Sequence, residues 1–152
     1  MPQLKQLVVG LGNPLAGDDG FGGAVVERLR RAGGLPAQVR LLDAGTDLLG
    51  QIQDFAGYDR VVLVDAALGE GRPGEVAIYR EEAFDDWPDT SPSSHQLSPL
   101  LAMRLFRQLH PESRAEIVLV ALWTARITLG ATVPEAAVEA GAEAVTRVLA
   151  AL

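Results

Sequence analysis

The segment Arg60-Val61-Val62-Leu63-Val64-Asp65 sets four consecutive aliphatic residues, three of them β-branched, between two charged ends. Branching at Cβ favours a strand. An unbroken apolar run offers no polar face to water, so the segment is predicted to be a central strand covered on both sides. Its neighbours must then supply apolar helix faces above and below a sheet.

The remaining pattern supplies them. Lys5 to Gly12 reads as a buried first strand, followed by a Gly-rich turn and a helix from about Gly20 to Ala32. Phe21, Val25, Leu29 and Ala32 share one stripe of that helix, and Arg28, Arg30 and Arg31 suit its C-terminal dipole. A second strand is expected from about Gln38 to Leu42, then a turn over Asp43-Ala44-Gly45-Thr46 and a short helix from Asp47 to Phe55. Beyond the central strand and a turn from Gly69 to Gly74, Glu75 to Arg80 reads as a strand near the sheet edge. The acidic stretch Glu81 to Ser94 is expected to be a loop. Leu97, Leu101, Leu105 and Leu109 recur every four residues, so this face of the next helix is expected to pack on the sheet. That helix starts either from Ser93 and Gln96, at capping-box spacing, or from Ser98-Pro99. A strand at about Glu116 to Leu122 and a last helix from about Val133 complete the chain, with Thr132 and Glu135 at capping-box spacing. The alternation implies a three-layer α/β sandwich whose twisted, mostly parallel five-stranded sheet has one antiparallel strand.

At 152 residues, 48% hydrophobic and 22% charged, the chain is expected to form one domain over 1–152 with a sizeable core. No apolar run approaches the ~18 residues that span a bilayer, so no membrane partner is expected. The start Met1-Pro2-Gln3-Leu4-Lys5 lacks the features of a signal peptide, and a cytoplasmic protein is expected. Absence of cysteine excludes disulfide frameworks, zinc–thiolate sites and cysteine nucleophiles. A net charge of −7 disfavours a nucleic-acid partner.

Three side chains invite chemistry. Asp19 follows the first strand, Asp65 ends the central one, and His95 lies near a helix N-terminus. If strands one and three are parallel neighbours, both carboxylates emerge at the carboxyl edge, where open α/β sheets bind ligands. Two carboxylates and an imidazole form an O,O,N set suited to nickel, zinc or ferrous iron, with positions left for substrate or water. Simpler roles exist for each residue: Asp18 and Asp19 fit N-caps of the following helix, and His95 fits a solvated cap. His110, before Pro111, suits a helix C-terminus. Trp87 and Trp123 fit packing under a loop. The glycines form neither a P-loop, since no Gly-Lys-Ser/Thr follows, nor a dinucleotide fingerprint, since residue 15 is leucine. Neither G-x-S-x-G nor H-E-x-x-H occurs.

The run Gly10-Leu11-Gly12-Asn13-Pro14-Leu15-Ala16-Gly17-Asp18-Asp19-Gly20-Phe21-Gly22 closely resembles the opening motif of the nickel–iron hydrogenase maturation endopeptidases. Leu42-Asp43-Ala44-Gly45-Thr46 is similar to that family's Asp-Gly-Gly-Thr turn, Val64-Asp65-Ala66 to its strand-ending Asp-Ala, and Ser94-His95-Gln96-Leu97 to its His-Gln-Leu segment. The resemblance implies that Asp19, Asp65 and His95 are the catalytic, metal-contacting residues and that Gly45 and Thr46 contact substrate. It implies an endopeptidase that senses nickel already inserted in a hydrogenase large-subunit precursor and removes a C-terminal extension. The nickel is then supplied by the substrate, no permanently bound cofactor is expected, and the protein is expected to act as a monomer.

Two departures stand out. Ala44 replaces a common glycine, and Trp123-Thr124-Ala125-Arg126 replaces the expected Glu-Pro-containing loop. Two rival readings remain. Peptidyl-tRNA hydrolases share the Val-Gly-Leu-Gly-Asn-Pro start and a similar fold, although Asp18-Asp19 and the negative charge depart from them. The other is a non-catalytic metal- or nucleotide-binding module.

Overall fold

The computed structural model describes residues 4–12, 20–68, 71–86, 99–124 and 132–151. Five strands, β1 (Gln6–Leu11), β2 (Val39–Gly45), β3 (Arg60–Leu68), β4 (Val76–Arg80) and β5 (Glu116–Thr124), form one sheet in the order β2-β1-β3-β5-β4. β1 pairs in parallel with β2 and β3, β3 pairs in parallel with β5, and edge strand β4 alone is antiparallel. Helices α1 (Phe21–Ala32), α2 (Pro99–Leu109) and α3 (Glu135–Ala150) flank it, with 3₁₀-helices at Ile52–Gly57 and Glu81–Asp86.

Side-chain alternation along β3 divides the core as its composition demands. Val61 and Leu63 join Leu7, Val9, Phe55 and Phe106 beneath α2 and the first 3₁₀-helix. Val62 and Val64 join Val8, Phe21, Val25 and Val145 beneath α1 and α3. Phe55 and Phe106, with ring centroids 5.6 Å apart, tie the 3₁₀-helix to α2.

Several elements depart from the sequence reading. β2 runs on through Asp43, Ala44 and Gly45 instead of turning there, because Gly45 still pairs with Leu11. The short helix after it is 3₁₀ and starts at Ile52, and Glu81–Asp86 is a 3₁₀-helix where a loop was expected. Ala32 is exposed at the end of α1. On α2 the buried residues are Pro99, Leu100, Ala102, Met103 and Phe106, whereas Leu101 and Leu109 are 52% and 53% exposed. The helix turns its aromatic Phe106 toward Phe55, which rotates Leu101 and Leu109 out to solvent and leaves Leu105 half-buried against the core. α3 begins at Glu135 with Pro134 as N-cap and no side-chain cap hydrogen bond, so the Thr132–Glu135 box is not formed. On α2, Leu97 and the two candidate cap serines lie outside the described residues.

A fully buried cation closes the opposite, amino edge of the sheet. Arg60, 2% exposed, donates to Gln6 Oε1 at 2.8 Å, the Val148 carbonyl at 2.9 Å and Glu116 Oε2 at 3.2 Å. Gln6 Nε2 reaches the Leu149 carbonyl at 3.0 Å. One guanidinium thereby joins β1, β3, β5 and α3.

Candidate functional site at the carboxyl edge

The site starts where β1 and β3 part. Their pairing ends at Gly10 with Val64, but β3 stays paired with β5 as far as Leu68 with Thr124. Asp65 therefore does not end its strand, as expected; it is the first residue of β3 beyond the reach of β1. The chain leaves β1 through α1 toward β2 on one side, while β5 lies on the other, so Asp65 stands at the crevice where connections diverge. Its side chain belongs to a residue only 4% exposed, and Oδ1 accepts the Ala66 N–H at 2.8 Å.

Two glycines bring α1 onto this crevice. A methyl group on Gly22 would lie 2.3 Å from the Val64 carbonyl oxygen and 2.4 Å from Leu11 N and O. One on Gly10 would lie 2.5 Å from the Gly22 carbonyl oxygen. Only residues without a Cβ allow the first turn of α1 to rest on the backbones of β1 and β3. Gly20, the buried N-cap of α1, lies two residues before Gly22, and Asp19 immediately precedes it. Asp19 itself lies outside the described residues, as does Asp18.

α2 approaches from the other layer. Arg107, near its end, donates to the Ala115 carbonyl and to the Glu81 carboxylate, anchoring that end at the amino edge beside the start of β5. Eleven helical residues span about 16 Å, close to the length of the strands, so Pro99 opens the helix toward the carboxyl edge. His95, four positions earlier, lies outside the described residues. Among the described residues, no three His, Cys, Asp or Glu side chains gather as a metal cluster.

Gly45 and Thr46 stand at the same edge. Gly45, at φ +58°, donates its N–H to Asp43 Oδ1 at 3.1 Å and accepts the Gly12 N–H at 2.8 Å. This bond staples the ends of β1 and β2 together after a one-residue register shift. Thr46 is exposed. Asp43 is not among the residues expected at the site, yet its carboxylate shapes this corner: a methyl on Gly23 of α1 would meet Asp43 Oδ2 at 2.9 Å. The signal lay in the Asp-x-Gly spacing, which favours a side-chain-closed turn. A carboxylate beside the first turn of α1 also suits the helix dipole.

The remaining candidates take structural places. Trp123 is buried in β5, donates Nε1–H to the Tyr79 hydroxyl at 2.9 Å, and lies under the backbone of Gly71, in keeping with packing under a loop. Trp87 and residues 125–130 lie outside the described residues. His110 is at the amino edge, with its backbone N–H on the Phe106 carbonyl at 2.8 Å and Nδ1 3.4 Å from Glu112 Oε1. Here the backbone amide caps the carbonyl while the ring turns away to Glu112.

Strand order and the placement of Asp65 define a doubly wound α/β protein with a buried carboxylate at its topological switch point. A family model described as hydrogenase maturation protease matches residues 24–151. The chain belongs to that family. In sequence it is 34% identical over 95 residues to the hydrogenase 2 maturation protease of Escherichia coli, covering 62% of this chain and 58% of that protein. It is 38% identical over 85 residues to HupD, a hydrogenase expression/formation protein of Rhodobacter capsulatus, covering 54% of this chain and 40% of the relative. The aligned region spans about half the length of these curated relatives. In structure it matches the hydrogenase maturating endopeptidase HybD of E. coli with a TM-score of 0.81 at 29% identity, over 95% of this chain and 91% of that one. The [NiFe] hydrogenase maturation protease HybD of Thermococcus kodakarensis matches with a TM-score of 0.74 at 27% identity, over 95% and 99% of the two chains.

Proposed function

We propose that this protein is an endopeptidase that removes the C-terminal extension of a nickel-loaded hydrogenase large-subunit precursor, working as a cytoplasmic monomer. The observation that carries the reading is the family match over residues 24–151 in a chain whose switch point holds buried Asp65. In this reading Asp19, Asp65 and His95 contact the nickel that the precursor brings, and Gly45 and Thr46 contact its polypeptide. Two carboxylates and an imidazole suit a borderline divalent ion. The ion belongs to the substrate, so docking depends on it: a precursor without nickel brings no cation to offset the negative charge of the two carboxylates, which disfavours that complex. Once docked, the ion is able to position the neighbouring peptide, polarise its carbonyl or acidify a water. Membership of this family removes the reason for a peptidyl-tRNA hydrolase reading.

The test is direct. Purified protein is incubated with precursor reconstituted with nickel and with metal-free precursor, and chain length is followed by mass spectrometry. Loss of the extension from the nickel form alone is expected. Cleavage of neither form, with the cognate precursor in hand, overturns the reading.

A further inference from the structure

β2 is an outermost strand of the sheet, and its backbone orientation is fixed by one bond. The Gln6 N–H donates to the Gln38 carbonyl at 3.1 Å, in a parallel ladder that pairs Gln6 with Val39. Every second residue of a parallel strand turns its N–H and C=O to one neighbour. Gln38, Arg40 and Leu42 therefore face β1, and Val39, Leu41 and Asp43 face outward. The Val39 N–H is taken by the Pro36 carbonyl at 3.0 Å. Among the described residues, no hydrogen bond engages the outward N–H and C=O groups of Leu41 and Asp43.

Exposed edges are ordinarily blunted by proline, lysine or a bulge. Val39–Asp43 carries no proline or lysine; the register shift comes only at its end, and its two charged side chains are engaged locally, Arg40 with the Tyr58 hydroxyl at 3.4 Å and Asp43 with the Gly45 N–H at 3.1 Å. The edge leads directly into Gly45 and Thr46, at the same end of the sheet as Asp65. With strands about 4.8 Å apart, one added outside β2 lies roughly 14 Å from β3, a distance that about four extended residues cover. The opposite edge strand, β4, meets this end of the sheet at Val76, where no candidate site residue stands.

We propose that the outer edge of β2 holds an extended stretch of the precursor, adjoining the scissile bond, as an added strand. The proposal rests on the endopeptidase reading above. Main-chain pairing grips a polypeptide through groups every residue possesses, which suits a protease whose selectivity comes from a metal.

Proline at an outward position removes a donor toward the added strand without touching the β1–β2 ladder. Leu41→Pro is expected to raise KM for nickel-loaded precursor about tenfold, with kcat nearly unchanged and the circular dichroism spectrum retained. Ile78→Pro, at an outward position of β4, is expected to leave both constants as in wild type. The complementary measurement keeps the enzyme wild type and scans proline along the precursor near its cleavage point. KM is expected to rise at alternate positions, because only every second residue faces β2. An unaltered KM in folded Leu41→Pro, the rise appearing in Ile78→Pro instead, or a scan without that alternation overturns the proposal. A wild-type dimer at assay concentration that Leu41→Pro dissociates also overturns it, assigning the edge to a second copy. Failure of wild type to cleave unmodified precursor removes the endopeptidase reading as well, and so separates the two outcomes.

Discussion

Asp65 occupies a position that a carboxylate holds only at a cost. Burying a polar group without compensation costs several kcal/mol, and the Ala66 N–H is among the groups that offset this. In the proposed function, contact with the precursor's nickel is what an acid supplies at this position and a hydrophobic residue does not. Asp65→Asn, which retains shape and removes charge, is expected to lower kcat/KM for nickel-loaded precursor by about a hundredfold or more while the melting temperature stays within a few degrees. Asp19→Ala and His95→Ala are expected to abolish cleavage with thermal stability nearly intact. If both variants unfold globally, their roles are structural. At this scale the sequence revealed Asp65 well, because an acid after four aliphatics is conspicuous. It hid Asp43, whose carboxylate matters through a turn and a neighbouring helix that no local pattern exposes.

Among the elements, the contact of α1 with β1 and β3 is the tightest constraint on the site. The three atoms nearest a side chain on Gly22 are all backbone, so no rotamer change relieves the clash. Gly22→Ala is expected to destabilise the protein by about 3 kcal/mol, read as a fall in melting temperature of roughly 6–12 °C. The strands and their succession along the chain were legible because β-branched runs and, at β4, the two-residue period are strong signals; their order in the sheet was not. The α2 face was not. Leu101, Leu105 and Leu109 and the set Leu100, Met103 and Phe106 are both helical rows, and periodicity alone does not choose between them. The choice belongs to Phe55, far away in sequence, which receives Phe106. The expected end of β3 at Asp65 failed for a similar reason: β5 continues to pair where β1 no longer does.

Across the whole molecule, the two edges of the sheet have different tasks. Asp65, Gly45 and Thr46 lie at the carboxyl edge; Arg60, Gln6 and Glu116 hold the amino edge together. Arg60→Ala leaves the Gln6 side chain and the Val148 carbonyl buried without their donor and is expected to cost about 3–5 kcal/mol. Chemical denaturation should show that loss, while kcat for nickel-loaded precursor, measured well below the midpoint, remains near the wild-type value.

The amino-edge bonds also join distant parts of the chain: Gln6 and Leu149 are 143 positions apart, and Arg60 and Val148 are 88 apart. Contacts of such separation reward the polypeptide only after the intervening segments are in place, which makes them late and slow to form. α3 covers the β5 side of this layer, where Val118, Val120 and Leu122 form an aliphatic strip of the kind that aggregates when exposed. The bonds from Arg60 and Gln6 to the last turn of α3 form only once that helix has docked, so they hold the cover in place and slow its release.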